Sequence, residues 1–224
     1  KSGQHGGNVL QMAELYGLDP AAVLDFSANI NPLGMPASLR QAIVDHLHLA
    51  ERYPDIDYRQ LHRALAQHVA CPVEQVLAGS GATELIFALV DLLRPRKALL
   101  PVPGFAEYRR ALTRYGCQII DYPLHEADDF QPTPALLEAL DADLDCLFLC
   151  TPNNPTSQQP DSALLHDLVA RCQQLAITLI VDESFLDFLP DPVGLVPLLT
   201  VHPRLFLLRS LTKFYAIPGL RLGY

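Results

Sequence analysis

Lys213 is the residue best placed for covalent chemistry. The chain contains three lysines, Lys1, Lys97 and Lys213, of which the first is terminal and the second lies in a charged run. Lys213 instead follows the apolar stretch 205–208, in the sequence Ser-Leu-Thr-Lys. An amine delivered by a buried strand to the edge of a sheet can form a Schiff base with a carbonyl cofactor. A surface lysine after a strand would show the same local pattern, and this stretch alone favours neither reading.

Polar clusters recur directly after apolar stretches along the chain. They are GSGATE at 79–84, CTPNNPT at 150–156, DES at 182–184 and SLTK at 210–213. The carboxyl ends of parallel strands lie along one edge of a sheet, where open α/β folds bind ligands. We therefore expect these distant clusters to meet in one crevice.

Each cluster has a chemical use and an ordinary alternative. Gly79, Ser80 and Gly81 precede a helix, whose N-terminal amides and dipole suit an anion such as phosphate; such a turn can also simply join two elements. Asp182 follows the apolar run 179–181, where a carboxylate is costly without a cationic partner. A protonated pyridine nitrogen would be such a partner, and a salt-bridged aspartate is the alternative.

The pattern around these clusters predicts the fold. From Val73 onward, predicted strands at 75–78, 98–100, 118–120, 146–150, 178–181 and 205–208 alternate with amphipathic helices. Such alternation indicates an α/β fold, a mostly parallel central sheet with helices on both faces. Two further helices are predicted near 36–47 and 61–69. The preceding loop at 24–34 carries Asn29 and Asn31, for which the residues alone favour Asx turns over a binding role.

Composition narrows the range of partners. The net charge of −9 argues against nucleic acid, which calls for basic patches. Apolar runs are too short to cross a bilayer, so we expect no membrane partner. The five cysteines are odd in number and form no CxxC pair, which indicates reduced thiols in the cytoplasm. We expect no metal site.

As a set, the motifs resemble a known family. GSGATE, PGFAEY, TPNNPT, DESF and SLTKFYAIPGLRLGY resemble fold-type I enzymes dependent on pyridoxal 5'-phosphate (PLP), in the class I/II aminotransferase group. Within that group HGGN, DFSANINPLGMP and ERYPD are most similar to threonine-phosphate decarboxylases of cobalamin biosynthesis. Histidinol-phosphate aminotransferases come next. The resemblance covers the whole chain.

The resemblance implies roles for individual residues. Lys213 would hold PLP covalently and transfer protons, and Asp182 would pair with the pyridine nitrogen. Asn154 would contact the ring hydroxyl oxygen and the substrate, and Tyr108 would stack on the ring. The cofactor phosphate would be held by a larger set, comprising Gly81, Ala82, Thr83, Ser210, Thr212, Arg221 and, from the neighbouring subunit of a homodimer, Tyr53. His5 and Asn29 would contact the phosphate of a phosphorylated amino-acid substrate.

Two positions depart from the family pattern, and the chain is shorter than the family. Phe185 stands where many members have a tyrosine that donates to the ring oxygen, and Ser157 replaces the glycine usual after NNPT. The resemblance implies an N-terminal segment, 1–35, contributing to the substrate site and a PLP-binding large domain, 36–224. A small C-terminal domain, which supplies an arginine for the substrate carboxylate, would be missing. We therefore expect weak or absent turnover from this chain alone.

Three functions remain open at this point. The first is a PLP-dependent lyase that converts L-threonine O-3-phosphate to (R)-1-aminopropan-2-yl phosphate. The second is an aminotransferase of the histidinol-phosphate type. The third is a catalytically incomplete fragment that binds PLP. The segments HGGN and SANINPLG favour the first.

Overall fold

A five-stranded parallel sheet organises the molecule. The computed structural model describes residues 6–224. Its strands are β1 (Lys97–Val102), β2 (Gln118–Pro123), β3 (Cys146–Cys150), β4 (Thr178–Asp182) and β5 (Leu205–Leu208), in the spatial order β2-β1-β3-β4-β5. Every pairing between neighbouring strands is parallel. This confirms the predicted fold class.

Helices cover both faces of the sheet. The α-helices of the described residues are, in chain order, α1 (Val9–Tyr16), α2 (Ala37–Asp45), α3 (Arg59–Val69), α4 (Ala82–Leu93), α5 (Ala106–Arg114), α6 (Ala135–Glu138), α7 (Ser162–Gln174) and α8 (Leu211–Phe214). Of these, α4 to α7 pack against the sheet. Apolar residues of α4 and α5 form one buried cluster with the sheet, while α6 and α7 form a second cluster. The central strands β3 and β4 are thereby buried along their whole length, whereas the edge strand β2 is partly exposed.

Strand β3 shows how one apolar run supplies both clusters. Leu147 and Leu149 pack against α6 and α7, whereas Cys146, Phe148 and Cys150 pack toward α4 and α5. Successive side chains of a strand point to opposite faces. All five residues are therefore buried, and the strand reads as continuously apolar.

The segment before the sheet is less well covered. Helix α3 buries Leu65 and Ala66, but α2 buries none of its residues. Large apolar side chains here are exposed, including Leu10, Leu15, Tyr16, Leu24, Phe26, Leu33, Leu47, Tyr53 and Ile56. Within residues 6–224, no helix combines the length and apolarity needed to span a membrane.

The strand predicted at 75–78 does not form, which corrects the sequence interpretation. A 3-10 turn covers Val73–Gln75, and the chain then runs to Gly79, which forms an isolated antiparallel bridge with Gly223. Gly223 also bridges Ser210 beyond the end of β5. GSGATE is therefore held at the sheet edge by the 222–224 segment rather than by a strand of its own.

Helix α7 provides a direct test of the core. Leu168 is fully buried on its inner face, and the Leu168→Ala substitution leaves a cavity costing about 2–5 kcal/mol of unfolding free energy. Chemical denaturation followed by circular dichroism measures the loss. Arg171→Ala, at an exposed position of the same helix, is the matched control and should change stability by about 0.5 kcal/mol or less. Equal losses in the two variants would contradict this packing.

Candidate functional site

A cavity of about 600 Å³ lies at the carboxyl edge of the sheet. Strand β2 follows β1 in the chain and lies on one side of it in the sheet, whereas β3 lies on the other side of β1. Such a reversal of strand order creates a crevice in open α/β sheets. Of the predicted site residues, the cavity is lined by Asn29, Ala82, Thr83, Tyr108, Asn154, Asp182, Thr212, Lys213 and Arg221. The convergence expected from the spacing of the polar clusters is therefore present.

Asp182 is the last residue of β4 and is 3% exposed. Its Oδ2 accepts a hydrogen bond from the Tyr108 hydroxyl at 2.7 Å, and its Oδ1 accepts one from the Ser184 amide at 2.9 Å. These donors offset part of the cost of removing the carboxylate from water. The carboxylate thus lies in the cavity, held by two neutral donors.

Lys213 lies in the short helix α8, which begins after Ser210. The Ser210 side chain caps α8 by accepting from the Thr212 amide, and the Lys213 Nζ donates to Ser210 Oγ at 3.3 Å. Burial lowers the pKa of the Lys213 amine, Arg221 lowers it further, and Asp182 raises it in part. A lowered pKa increases the fraction of neutral, nucleophilic amine at a given pH.

The Arg221 guanidinium lies next to Gly81, the residue that directly precedes α4. A side chain at Gly81 would place Cβ 2.6 Å from Arg221 Nη2, and the φ of Gly81 is +85°, so glycine is required there. Ala82 and Thr83 begin α4, where backbone amides lack intrahelical partners. A guanidinium beside a helix N-terminus is suited to an anion. Glu84, in the same turn, accepts from the Ser80 amide.

The turn after β3 directs Asn154 into the cavity. Asn153 is buried, and its Nδ2 donates to Pro103 O at 3.1 Å and to Thr156 Oγ1 at 2.9 Å. Ser157 donates from its amide to Asn153 O and has a φ of +61°. That left-handed conformation favours glycine, the residue that the family resemblance leads us to expect here, and the serine adopts it.

Tyr108 lies in the cavity in an arrangement the sequence did not predict. Its ring is stacked on Phe148, with centroids 5.0 Å apart and an interplanar angle of 20°. Its hydroxyl is bonded to Asp182, and burial raises the pKa of that phenol. Stacking of Tyr108 on a cofactor ring stays a prediction.

The N-terminal segment forms one wall of the cavity. Asn29 lines it together with Gly6, Gly7, Ser27 and Ile30. Ser27 Oγ accepts from the Gly7 amide at 2.8 Å, so the two stretches are fastened to each other. The predicted His5 lies outside the described residues.

Tyr53 does not reach the cavity of its own chain. The residue is fully exposed, and it is absent from the cavity lining. A wider depression of about 880 Å³ lies around Asp55–Arg63. It contains none of the residues assigned to the predicted site.

Several residues of the site were missed from the sequence. Cys150 and Ser184 line the cavity, and burial raises the pKa of the Cys150 thiol to about 12, which keeps it neutral. Glu183 and Arg209 form a buried ion pair, with Oε2 and Nη2 2.8 Å apart. Glu183 directly follows Asp182, and Arg209 directly precedes Ser210; these positions were the available signal in the sequence. The ion pair between them joins the ends of β4 and β5.

Comparison with known proteins finds a matching family and several relatives. The family model "Aminotransferase class I and II" matches residues 21–224. The chain is 56% identical over 220 residues to the threonine-phosphate decarboxylase of Salmonella typhimurium, covering 98% of this chain and 60% of that protein. It is 32% identical to the adenosylcobalamin biosynthesis bifunctional protein CobDQ of Leptospira interrogans, covering 98% of this chain and 26% of that protein.

A solved structure shows the same fold. The histidinol-phosphate aminotransferase from Clostridium acetobutylicum superposes with a TM-score of 0.81 at 29% identity, over 90% of this chain and 59% of that one. The chain thus spans about 60% of the length of the first of these relatives and of this structure. With the family model matched over residues 21–224, and with lysine, aspartate and arginine gathered at one sheet edge, the chain belongs to the class I and II aminotransferase family.

Proposed function

We propose that this chain is the PLP-binding part of a decarboxylase that acts on L-threonine O-3-phosphate in cobalamin biosynthesis, yielding (R)-1-aminopropan-2-yl phosphate. One observation carries the proposal: Lys213, Asp182 and Arg221 line a single cavity. The 56% identity to the Salmonella decarboxylase and the similarity to CobDQ support the substrate and the pathway. The activity is that of the whole protein, of which this chain supplies most of the cofactor site.

The residues of the cavity fit PLP, the cofactor of this family. A buried carboxylate suits the ring nitrogen, a lysine of lowered pKa suits the aldehyde, and Arg221 at the N-terminus of α4 suits the phosphate. Gly81, Ala82, Thr83, Ser210 and Thr212 would complete the phosphate site. Asn154 would contact the ring oxygen, where Phe185 offers no hydroxyl. PLP, when bound, supplies an electron sink for bond cleavage at the substrate α-carbon.

The protein's own groups have separate tasks. Asp182 would face the ring nitrogen of the cofactor, and its two carboxylate oxygens are held in place by the Tyr108 hydroxyl and the Ser184 amide. Lys213 Nζ would hold the cofactor and, when free, would carry a proton to the substrate α-carbon after carbon dioxide has left. Asn29 and His5 would bind the substrate phosphate, and Asn154 would contact the substrate. Residues 1–35 thereby contribute to the substrate site, and 36–224 form the PLP-binding domain.

An aminotransferase of the histidinol-phosphate type is the second candidate. The structural match to the Clostridium acetobutylicum enzyme supports it. In that reaction Lys213 would remove the α-proton, and the carboxylate would stay in place. The two candidates differ in which bond at the α-carbon is broken, because the same cofactor serves both.

A homodimer completes the proposed site. Tyr53 is fully exposed, which suits a side chain that reaches the cofactor phosphate of a neighbouring subunit. The exposed apolar side chains between residues 10 and 56 would be covered in the same assembly. We place the protein in the cytoplasm, because its five cysteines are unpaired and a reducing compartment preserves thiols.

The covalent role of Lys213 predicts a specific adduct. After incubation with PLP and reduction with borohydride, peptide mass spectrometry should locate one phosphopyridoxyl group on Lys213. The Lys213→Ala protein should lose this adduct because the amine is gone. Lys97→Ala removes a partly exposed lysine, which is paired with Asp143 and lies outside the cavity; it is the matched control and should label normally. Site-specific labelling that persists in Lys213→Ala would overturn the assignment.

The charges around Lys213 predict a shift of its pH profile. Removing Arg221 with Arg221→Gln should raise the pKa of the Lys213 amine, since the guanidinium lowers it; Asp182→Asn should lower that pKa. Pyridoxal, which lacks the phosphate, isolates this effect from phosphate binding. Its rate of reductive attachment to Lys213, measured across pH in a Lys97→Ala background, should therefore have a higher midpoint in Arg221→Gln. A midpoint that stays fixed or falls would contradict the electrostatics.

The reaction itself is tested by its products. The protein encoded by the reading frame that contains this chain should release one carbon dioxide per L-threonine O-3-phosphate consumed, without an added keto acid. Lys213→Ala should abolish the release. Turnover that requires a keto-acid acceptor and produces no carbon dioxide would favour the aminotransferase instead.

A further inference from the structure

Asn31 connects the N-terminal wall of the cavity to the helix that carries Lys213. Its amide donates to Lys213 O at 3.1 Å, and its side-chain Nδ2 donates to Phe214 O at 2.9 Å. These two carbonyls lie at the end of α8, where helix carbonyls lack partners within the helix. Lys213 O also accepts from the Ala216 amide at 3.2 Å. Asn31 therefore caps the lysine helix from a segment that is distant in sequence.

The other two polar groups of Asn31 shape its own turn. Oδ1 accepts from the Leu33 amide at 3.0 Å, and the backbone carbonyl accepts from the Gly34 amide at 3.1 Å. The side chain thus forms an Asx turn while its amide nitrogen points to α8. A change at Nδ2 alone can weaken the contact with α8 and leave the Asx turn in place.

The residues next to Asn31 face the cavity. Ala28, Asn29 and Ile30 line it from one side, and Lys213 lines it as well. The Asn31 bonds consequently join the wall that contains Asn29 to the backbone of the helix that carries Lys213. No part of Asn31 itself belongs to the cavity lining.

We propose that Asn31 is a positioning residue, which fixes the position of the 28–30 segment relative to Lys213 so that substrate binds beside the reactive amine. The inference rests on the proposed function, because it assigns the substrate phosphate to the segment that Asn31 holds. Cofactor affinity should change little, since Arg221, Asp182 and the start of α4 lie on elements that Asn31 does not contact, and Ser210 and Thr212 lie at the opposite end of α8 from its bond to Phe214 O.

Asn31→Asp is the sharpest variant. It retains Oδ1 for the Leu33 amide but replaces the donor to Phe214 O with an acceptor of similar size. We expect KM for L-threonine O-3-phosphate to rise about tenfold, with kcat changed about twofold or less and PLP affinity unchanged, as when ground-state and transition-state binding are weakened equally.

A readout on the unliganded chain accompanies the kinetics. Hydrogen exchange followed by mass spectrometry should be faster in peptides covering 27–31 of Asn31→Asp, because the segment is released from α8. Gln131→Glu is the matched control: it also replaces an amide that donates to a backbone carbonyl, Gln159 O at 2.8 Å, at an exposed position. The control should change neither KM nor exchange at 27–31.

The outcomes separate this inference from the proposed function. Unchanged exchange at 27–31, an unchanged KM, or a loss of PLP affinity in proportion to the rise in KM would each overturn the role of Asn31. If Asn31→Asp does not fold, Asn31→Ala removes the same donor without adding a charge and is judged by the same criteria. Failure of the unmutated protein to act on L-threonine O-3-phosphate would instead refute the proposed function.

Discussion

Burial of the Asp182 carboxylate at the tip of β4 is the constraint on which the site depends. A carboxylate at 3% exposure is costly unless polar groups surround it. The Tyr108 hydroxyl and the Ser184 amide supply hydrogen bonds. The carboxylate also raises the pKa of the nearby Lys213 amine, against the larger lowering caused by burial. The carboxylate that would serve the cofactor therefore also joins α5 to the end of β4 through Tyr108.

A second buried charge braces the first. Glu183 accepts from Arg209 Nε at 2.9 Å and from the Leu195 amide at 2.9 Å, which links β4, β5 and the connection between them. Burial raises the pKa of Glu183, and Arg209 opposes this effect. Arg209 also exchanges backbone hydrogen bonds with Tyr224. The ends of β4 and β5 are thereby fixed with Asp182 and Ser210 next to the cavity.

Much of this arrangement follows from local pattern. Continuous apolar runs such as 146–150 specify strands buried on both faces, and polar clusters directly after them specify the functional edge. The strand expected at 75–78 does not form. Three of its four residues are apolar, but Leu77 is 64% exposed, and the backbone of the adjoining Gly79 pairs with the distant Gly223.

Long-range hydrogen bonds were beyond the reach of sequence reasoning. The contact between Tyr108 and Asp182 and the contacts of Asn31 with α8 join residues far apart in the chain. Neither the position of Tyr108 nor that of Asn31 in the sequence indicates its hydrogen-bond partner. The sequence favours an Asx turn at Asn31, and this turn is present. The hydrogen bond that the Asn31 side-chain amide donates to Phe214 O follows only from the fold, which places α8 beside it.

A crystal structure of the chain with PLP would test the central claim most directly. It should show continuous electron density between Lys213 Nζ and the cofactor, with the ring nitrogen facing Asp182 and the phosphate beside Arg221 and the first turn of α4. A cofactor bound in another cavity, or attached elsewhere with Lys213 turned away from Asp182, would contradict the assignment of this edge as the active site.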